Sequence, residues 1–417
     1  MSSFNHQNIP QMKSIIFLAM LAIFNISNGQ QMIKKITVEI TEPSDLDLII
    51  SLDMTDNDIL PDEKMMFCKV EGANRIIVPF QVENSQLIWM IDGPVAKGLI
   101  HYEIKYGESK NTPDIVKAVK QNGRLIIKTD SLNLLCYQFE TLYPPSGVDT
   151  AYKRSAFIHP LWTPHGQVLT RIQPPDHYHH YGIWNPWTQV LFEGDTIDFW
   201  NLKKRLGNVR FARFKTLTDG PVFSEYEALH EHVVFKDNGM EKIALNELQK
   251  VKVYRPHNDY FIVDIIINYR CASENPFKIL EYRYAGLGWR ATGEWNKDNS
   301  EVLTSEGKTR KNADGSLAKW FIVQGKLGDD SGGIVMMSYS SNYNHPEPIR
   351  VWPESMYERG DVYANFVPTK NKDWLLEPGK TYTLKYRMIV FNGKFTPEKA
   401  DNGWLFYTSS PKLIKIE

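Results

Sequence analysis

The 417-residue chain carries 48 lysines and arginines against 49 acidic residues, a formal net charge of −1. No run of like charge forms a basic stripe or an acidic tail, which speaks against a nucleic-acid partner. The length exceeds one ordinary core, so two domains are expected unless a large β-sandwich takes up most of the chain.

At the N-terminus, Lys13 precedes the apolar run SIIFLAMLAIFNI, residues 14–26, and the small polar residues Ser27, Asn28 and Gly29 follow. This pattern predicts a secretory signal peptide over residues 1–29 and a secreted or periplasmic protein. A membrane anchor is disfavoured because the run falls short of the roughly 20 apolar residues that cross a bilayer. The first cysteine is Cys68, too distant for a lipoprotein anchor, and no later stretch reaches membrane length, so no span is expected after signal cleavage.

Residues 30–123 read in period two: KITVEI, DLDLIISLDM, RIIVPFQV, QLIWMI and LIHYEIKYG are short, rich in β-branched and aromatic residues, and separated by turn formers. They predict a small N-terminal β-sandwich, set off by the looser polar residues 108–123. Residues 124–417 continue in longer strands, including a hairpin over 233–256 turned by Asn238-Gly239 and strands near 260–271, 319–327, 332–340 and 381–391. They predict two large antiparallel sheets packed face to face, with no amphipathic helix of convincing length. Cys68, Cys136 and Cys271 show no paired spacing, so one disulfide and three buried thiols both stay open.

Eight of the eleven histidines lie between residues 159 and 257, and three crowd into PPDHYHHYGIWNPW, residues 174–187. Histidine titrates near neutral pH and ligates metals, so such a cluster marks a candidate site. Read as an extended strand, it puts His177 and His179 on one face and Asp176, Tyr178 and His180 on the other. His177 and His179 then form a possible metal pair, while a metal-free acid–base or sugar-contact role and plain packing are the alternatives. Adjacent strand residues face apart, so the carboxylate partner of a histidine is expected from elsewhere, at Asp195, Asp198, Glu281, Glu294 or Glu301.

Trp184 and Trp200 are candidate platforms for sugar rings, although tryptophan is equally a core filler. In EYRYAGLGWRATGEWNKDN, residues 281–299, Arg283, Arg290 and Glu294 accompany three glycines, and Arg290 is placed to clamp a carboxylate or a hydroxyl pair. The stretch is no phosphate loop, and no GxSxG elbow or HExxH helix occurs.

The segments HPLWTPHGQVLTRIQPPDHYHHYGIW, GDTIDFWNL, YRYAGLGWRAT and DVYANFVPTKNKDWLLEPGKTYTLKYRMIVFNG resemble the PmoA-like domain family over residues 130–395. That family is named for methane oxygenase, a title at odds with a chain lacking multiple membrane helices. The resemblance implies a galactose-mutarotase-like β-supersandwich and a secreted protein of carbohydrate degradation, but no agreed reaction. The expected function is therefore a carbohydrate-active enzyme that cleaves a glycosidic bond by hydrolysis or elimination. His177, His179, His180, Asp176 and Glu294 are its expected catalytic groups, and Trp184, Arg290, His165, Trp200 and Arg283 its expected substrate contacts. No cofactor is expected, with a divalent metal as the alternative. A non-catalytic carbohydrate-binding protein and a metal-dependent enzyme using the histidines are the competing readings. The oligomeric state is left open.

Overall fold

The computed structural model describes residues 34–57, 59, 64–106, 115–409 and 411–416. The expected signal peptide and part of the polar stretch before residue 115 lie outside the described residues. The described chain is almost wholly antiparallel β-structure, as its period-two pattern predicts.

A five-stranded and a three-stranded sheet form the N-terminal sandwich. Alternation puts Ile36 and Val38 of Lys34–Ile40, and Phe67, Trp89 and Tyr102 of neighbouring strands, into one core. The chain's last strand, Lys412–Ile416, pairs with Lys34–Ile40, so the C-terminus returns to the first domain. The boundary expected at residue 123 falls in the turn of a hairpin whose strands, Lys117–Gln121 and Arg124–Lys128, both belong to the next sheet.

That second unit packs a nine-stranded sheet on an eight-stranded one, and Leu125, Leu135, Val251, Val263 and Ile265 from the two sheets share one core. The predicted hairpin is present as Phe223–Phe235 and Glu241–Tyr254, with Gly239 at φ +78° in its turn. Two histidines of the central region are structural here. Tyr137 meets His230 Nε2 at 2.7 Å, and His230 and His232 donate to Glu247 at 3.1 and 2.8 Å, all buried between the sheets. Burial pushes the Glu247 carboxyl up, but the two imidazoles outweigh it and hold it down to about 2.

One correction concerns helix: Pro397–Thr408 is an α-helix that the sequence reading did not anticipate. Thr396 caps it by accepting from Lys399 N–H, and Pro397 and Glu398 open its first turn. Ala400, Trp404 and Tyr407 pack on the outer face of the eight-stranded sheet beside Leu46, Ile88 and Met90 of the N-terminal sandwich. Lys252 with Glu83 at 2.7 Å and His257 with Asp47 at 2.7 Å flank this apolar contact. No helix among the described residues is long and apolar enough to cross a membrane. The three cysteines are free thiols, with Cys68 and Cys136 buried and Cys271 half-buried.

Candidate functional site

The histidine-rich segment is not a strand. Pro174 and Pro175 lack the N–H that a ladder requires, and the chain folds instead into two consecutive turns, closed by His177 N–H to Pro174 O at 2.8 Å and His180 N–H to His177 O at 2.9 Å. Flanking residues hold this tip on the nine-stranded sheet through Gln173 N–H to His180 O, Gly182 N–H to Arg171 O and Arg290 N–H to Gly182 O. Gly182 has φ +57°, and a Cβ there would lie 2.2 Å from Ile158 O, so only glycine lets the loop rejoin the sheet.

The expected division of the histidines between two faces is therefore wrong. The turns bring one ring nitrogen from each of His177, His179 and His180 to within 4.8 Å of the others. Ring centroids lie 5.3 Å apart for His177 and His179, 4.6 Å for His177 and His180, and 4.7 Å for His179 and His180. The same turns overturn the expectation that adjacent residues diverge: Asp176 Oδ2 is 2.8 Å from His177 Nδ1. Among Asp195, Asp198, Glu281, Glu294 and Glu301, none hydrogen-bonds a histidine of this cluster. Asp198 instead accepts from Trp200 and Asn201 N–H at 3.0 and 2.9 Å.

Arg290 stands beneath the cluster, fully buried, and one of its Nη atoms donates to both Asp176 at 2.9 Å and Asp361 at 2.5 Å while its guanidinium lies 4.6 Å from the Trp352 ring centroid. It clamps carboxylates, as its residue type suggests, but they belong to the protein. Burial pushes the Asp176 carboxyl up, but the His177 hydrogen bond and the Arg290 charge outweigh it and hold it well below the usual carboxylate range. The ionised Asp176 accepts from His177 Nδ1–H, and the Tyr357 hydroxyl meets His177 Nε2 at 3.1 Å. Burial, reinforced by His177 and Arg154, pushes His179 down to about 3. Burial also drives His180 well below its ordinary value, with His179, His177 and Arg290 adding to the effect. Both are neutral at physiological pH.

These groups open into a cleft of about 260 Å³, walled by Trp200, Trp352, Tyr357 and Tyr363 and rimmed by Arg283 and Arg350. Arg350 is paired with Asp314, whereas Arg283 makes no ion pair among the described residues and lies over the Tyr284 ring at 5.4 Å. Gly288 serves packing: a Cβ there would sit 2.9 Å from both Trp200 and the Tyr363 hydroxyl. No aspartate or glutamate is among the residues lining this cleft.

The structure thus gathers His177, His179, His180, Asp176, Arg290, Trp184, Trp200 and Arg283 in one neighbourhood. Trp184, 1% exposed and 5.0 Å from the His180 ring, is buried support and offers no stacking face. Glu294 is exposed on a separate turn and accepts from Gly328 N–H at 3.1 Å. His165 lies apart as well, paired with Asp330 at 2.6 Å and Asp259 at 3.2 Å. Sequence reasoning missed Tyr357, Asp361 and Tyr363, and it did not single out Trp352 among the later tryptophans. VWPESMYERGDVY, residues 351–363, has the same concentration of aromatic and charged residues that drew attention to the histidine segment, and could have been found by it.

Residues 124–405 match the model of DUF6807, a family of unknown function. No curated protein matches the chain.

Proposed function

The chain belongs to the DUF6807 family, whose matched region contains every residue of the cleft, and from that premise we propose that it is a secreted carbohydrate-active enzyme that cleaves acidic glycans by elimination. The observation that carries this reading is the cleft's lining: imidazoles, phenols and an unpaired arginine, with no carboxylate. A glycoside hydrolase of the ordinary kind needs two carboxylates flanking the bond. Asp176 and Asp361 do not meet that need, because both are engaged by Arg290.

Elimination asks for different groups. A base removes the proton on the carbon next to a uronate carboxylate, the electron pair forms a carbon–carbon double bond, and the glycosidic C–O bond breaks with its pair going to oxygen. An acid then protonates the departing alcohol. His177 Nε2 and the Tyr357 hydroxyl supply the base and acid pair, oriented by Asp176, and Arg283 meets the uronate carboxylate. Tyr357, exposed at the cleft mouth, offers a ring face to the sugar. The PmoA-like resemblance, which implies a galactose-mutarotase-like supersandwich and carbohydrate degradation, supports the same reading.

Product analysis tests it. Digestion of a uronate-containing polysaccharide is expected to give fragments lighter than hydrolysis products by one water and absorbing in the ultraviolet. Saturated fragments would replace elimination by hydrolysis, and binding without fragments would make the protein a carbohydrate-binding module.

A further inference from the structure

The two-turn loop is built more elaborately than an acid–base pair requires. Only His177 has a carboxylate partner, yet His179 and His180 are carried to the same point, and His180 is 3% exposed with a buried Nδ1 that meets no partner in the protein. An imidazole nitrogen taken out of water without a hydrogen bond costs about 1–3 kcal/mol, and the fold has incurred that cost beside two further imidazoles.

We propose that His177, His179 and His180 form a three-histidine site for one divalent transition metal, of the zinc class, at the floor of the cleft. Three observations support the assignment. One nitrogen of each ring lies within 4.8 Å of the others, and side-chain rotation of about an ångström brings them to the roughly 3.4 Å separation that ~2.1 Å metal–nitrogen bonds impose in a tetrahedral site. Asp176 holds His177 from behind through Nδ1, the carboxylate–histidine relation by which proteins fix a metal-binding imidazole, and Arg290 in turn holds Asp176. Three protein ligands facing an open cleft leave a coordination position for a substrate oxygen, which distinguishes a working site from a closed structural one. Neutral nitrogen donors without thiolate or carboxylate ligands suit zinc, copper, nickel or cobalt and do not suit calcium or magnesium.

A bound ion would occupy His177 Nε2 and supply a Lewis acid at the cleft floor, so in the metal-loaded protein the base of the elimination passes from His177 to the Tyr357 hydroxyl beside it. The assignment goes beyond the glycan reading and does not depend on it, since metal binding is measured without any substrate.

The test uses the full mature chain, stripped with chelator and then titrated with Zn²⁺, and with Co²⁺ as a spectroscopic probe. One metal per chain is expected, with cobalt absorption bands characteristic of nitrogen ligation. His179→Ala and His177→Ala are expected to abolish binding, while His165→Ala keeps it. Asp176→Asn, which keeps the loop's shape, is expected to weaken affinity about 10- to 100-fold. Circular dichroism on each variant separates loss of the site from loss of the fold. No stoichiometric metal in the folded wild type, or undiminished binding in folded His179→Ala, would overturn the proposal. A chain that binds metal but leaves every glycan intact would refute the elimination reading alone.

Discussion

Arg290 is the residue on which the site's geometry depends. Its guanidinium is fully buried and joins Asp176, Asp361 and the Trp352 face. Arg290→Met is expected to leave two carboxylates without their shared partner and to cost ~3 kcal/mol or more in denaturant unfolding. Arg290→Lys is expected to recover only part of this, because an ammonium lacks the planar fork that lies on the ring. Residue types were legible in the sequence to this extent: the histidines, Asp176 and Arg290, which the sequence marks as candidates, lie together in one neighbourhood. Arg290 was expected to clamp a substrate and clamps the protein's own carboxylates. Trp184 was expected to stack on sugar and is buried. Glu294 and His165 had the right chemistry and the wrong place, since only the sheet order determines which loops share a cleft.

At the scale of elements, the reading succeeded wherever alternation decided the outcome and failed at two local signals. The strands of both sandwiches follow from period two, because a one-residue slip would turn each apolar set outward. The histidine loop departs from it because two prolines override the pattern of the residues after them. The helix Pro397–Thr408 was missed because Asp401, Asn402 and Gly403 are poor helix formers in its middle, yet Thr396, Pro397 and Glu398 spell a helix start. Thr396→Ala is expected to lower stability by about 1 kcal/mol through the lost cap. Gly182→Ala is expected to cost ~2 kcal/mol or more from φ strain and the clash with Ile158 O, read as a shift in unfolding midpoint. Because Gly182 anchors the histidine loop, that variant is also expected to lose activity on any substrate the wild type cleaves, even at temperatures where it stays folded.

For the whole molecule, the sandwich architecture was legible and the long-range closure was not: nothing local in the last residues announces that they pair with the first strand. Stability against pH is also a property of the whole, and Glu347 is its clearest sensor. Fully buried between the large sheets, it accepts from Ser338 at 2.5 Å, Asn342 at 2.8 Å and Tyr386 at 3.0 Å, and burial nonetheless pushes its carboxyl up to about 7. Below the unfolded-state value of about 4.3 both states hold the proton and the group contributes no pH dependence. Between that value and 7 the folded state alone keeps it, so stability falls as pH rises, by roughly 4 kcal/mol in total, and the loss levels off about a unit above pH 7. Glu347→Gln is expected to flatten this part of the curve, measured by unfolding at pH 5 and pH 8. An unchanged slope would assign the pH dependence to other groups.

The central claim is that the histidine cleft breaks acidic glycans by elimination. Mass spectrometry of the products from a panel of uronate-containing polysaccharides, with wild type beside His177→Ala, tests it most directly. The account predicts unsaturated fragments, each lighter than a hydrolysis product by one water, from at least one polysaccharide with wild type and none with the folded variant. Fully saturated fragments, or equal cleavage by the variant, would contradict it.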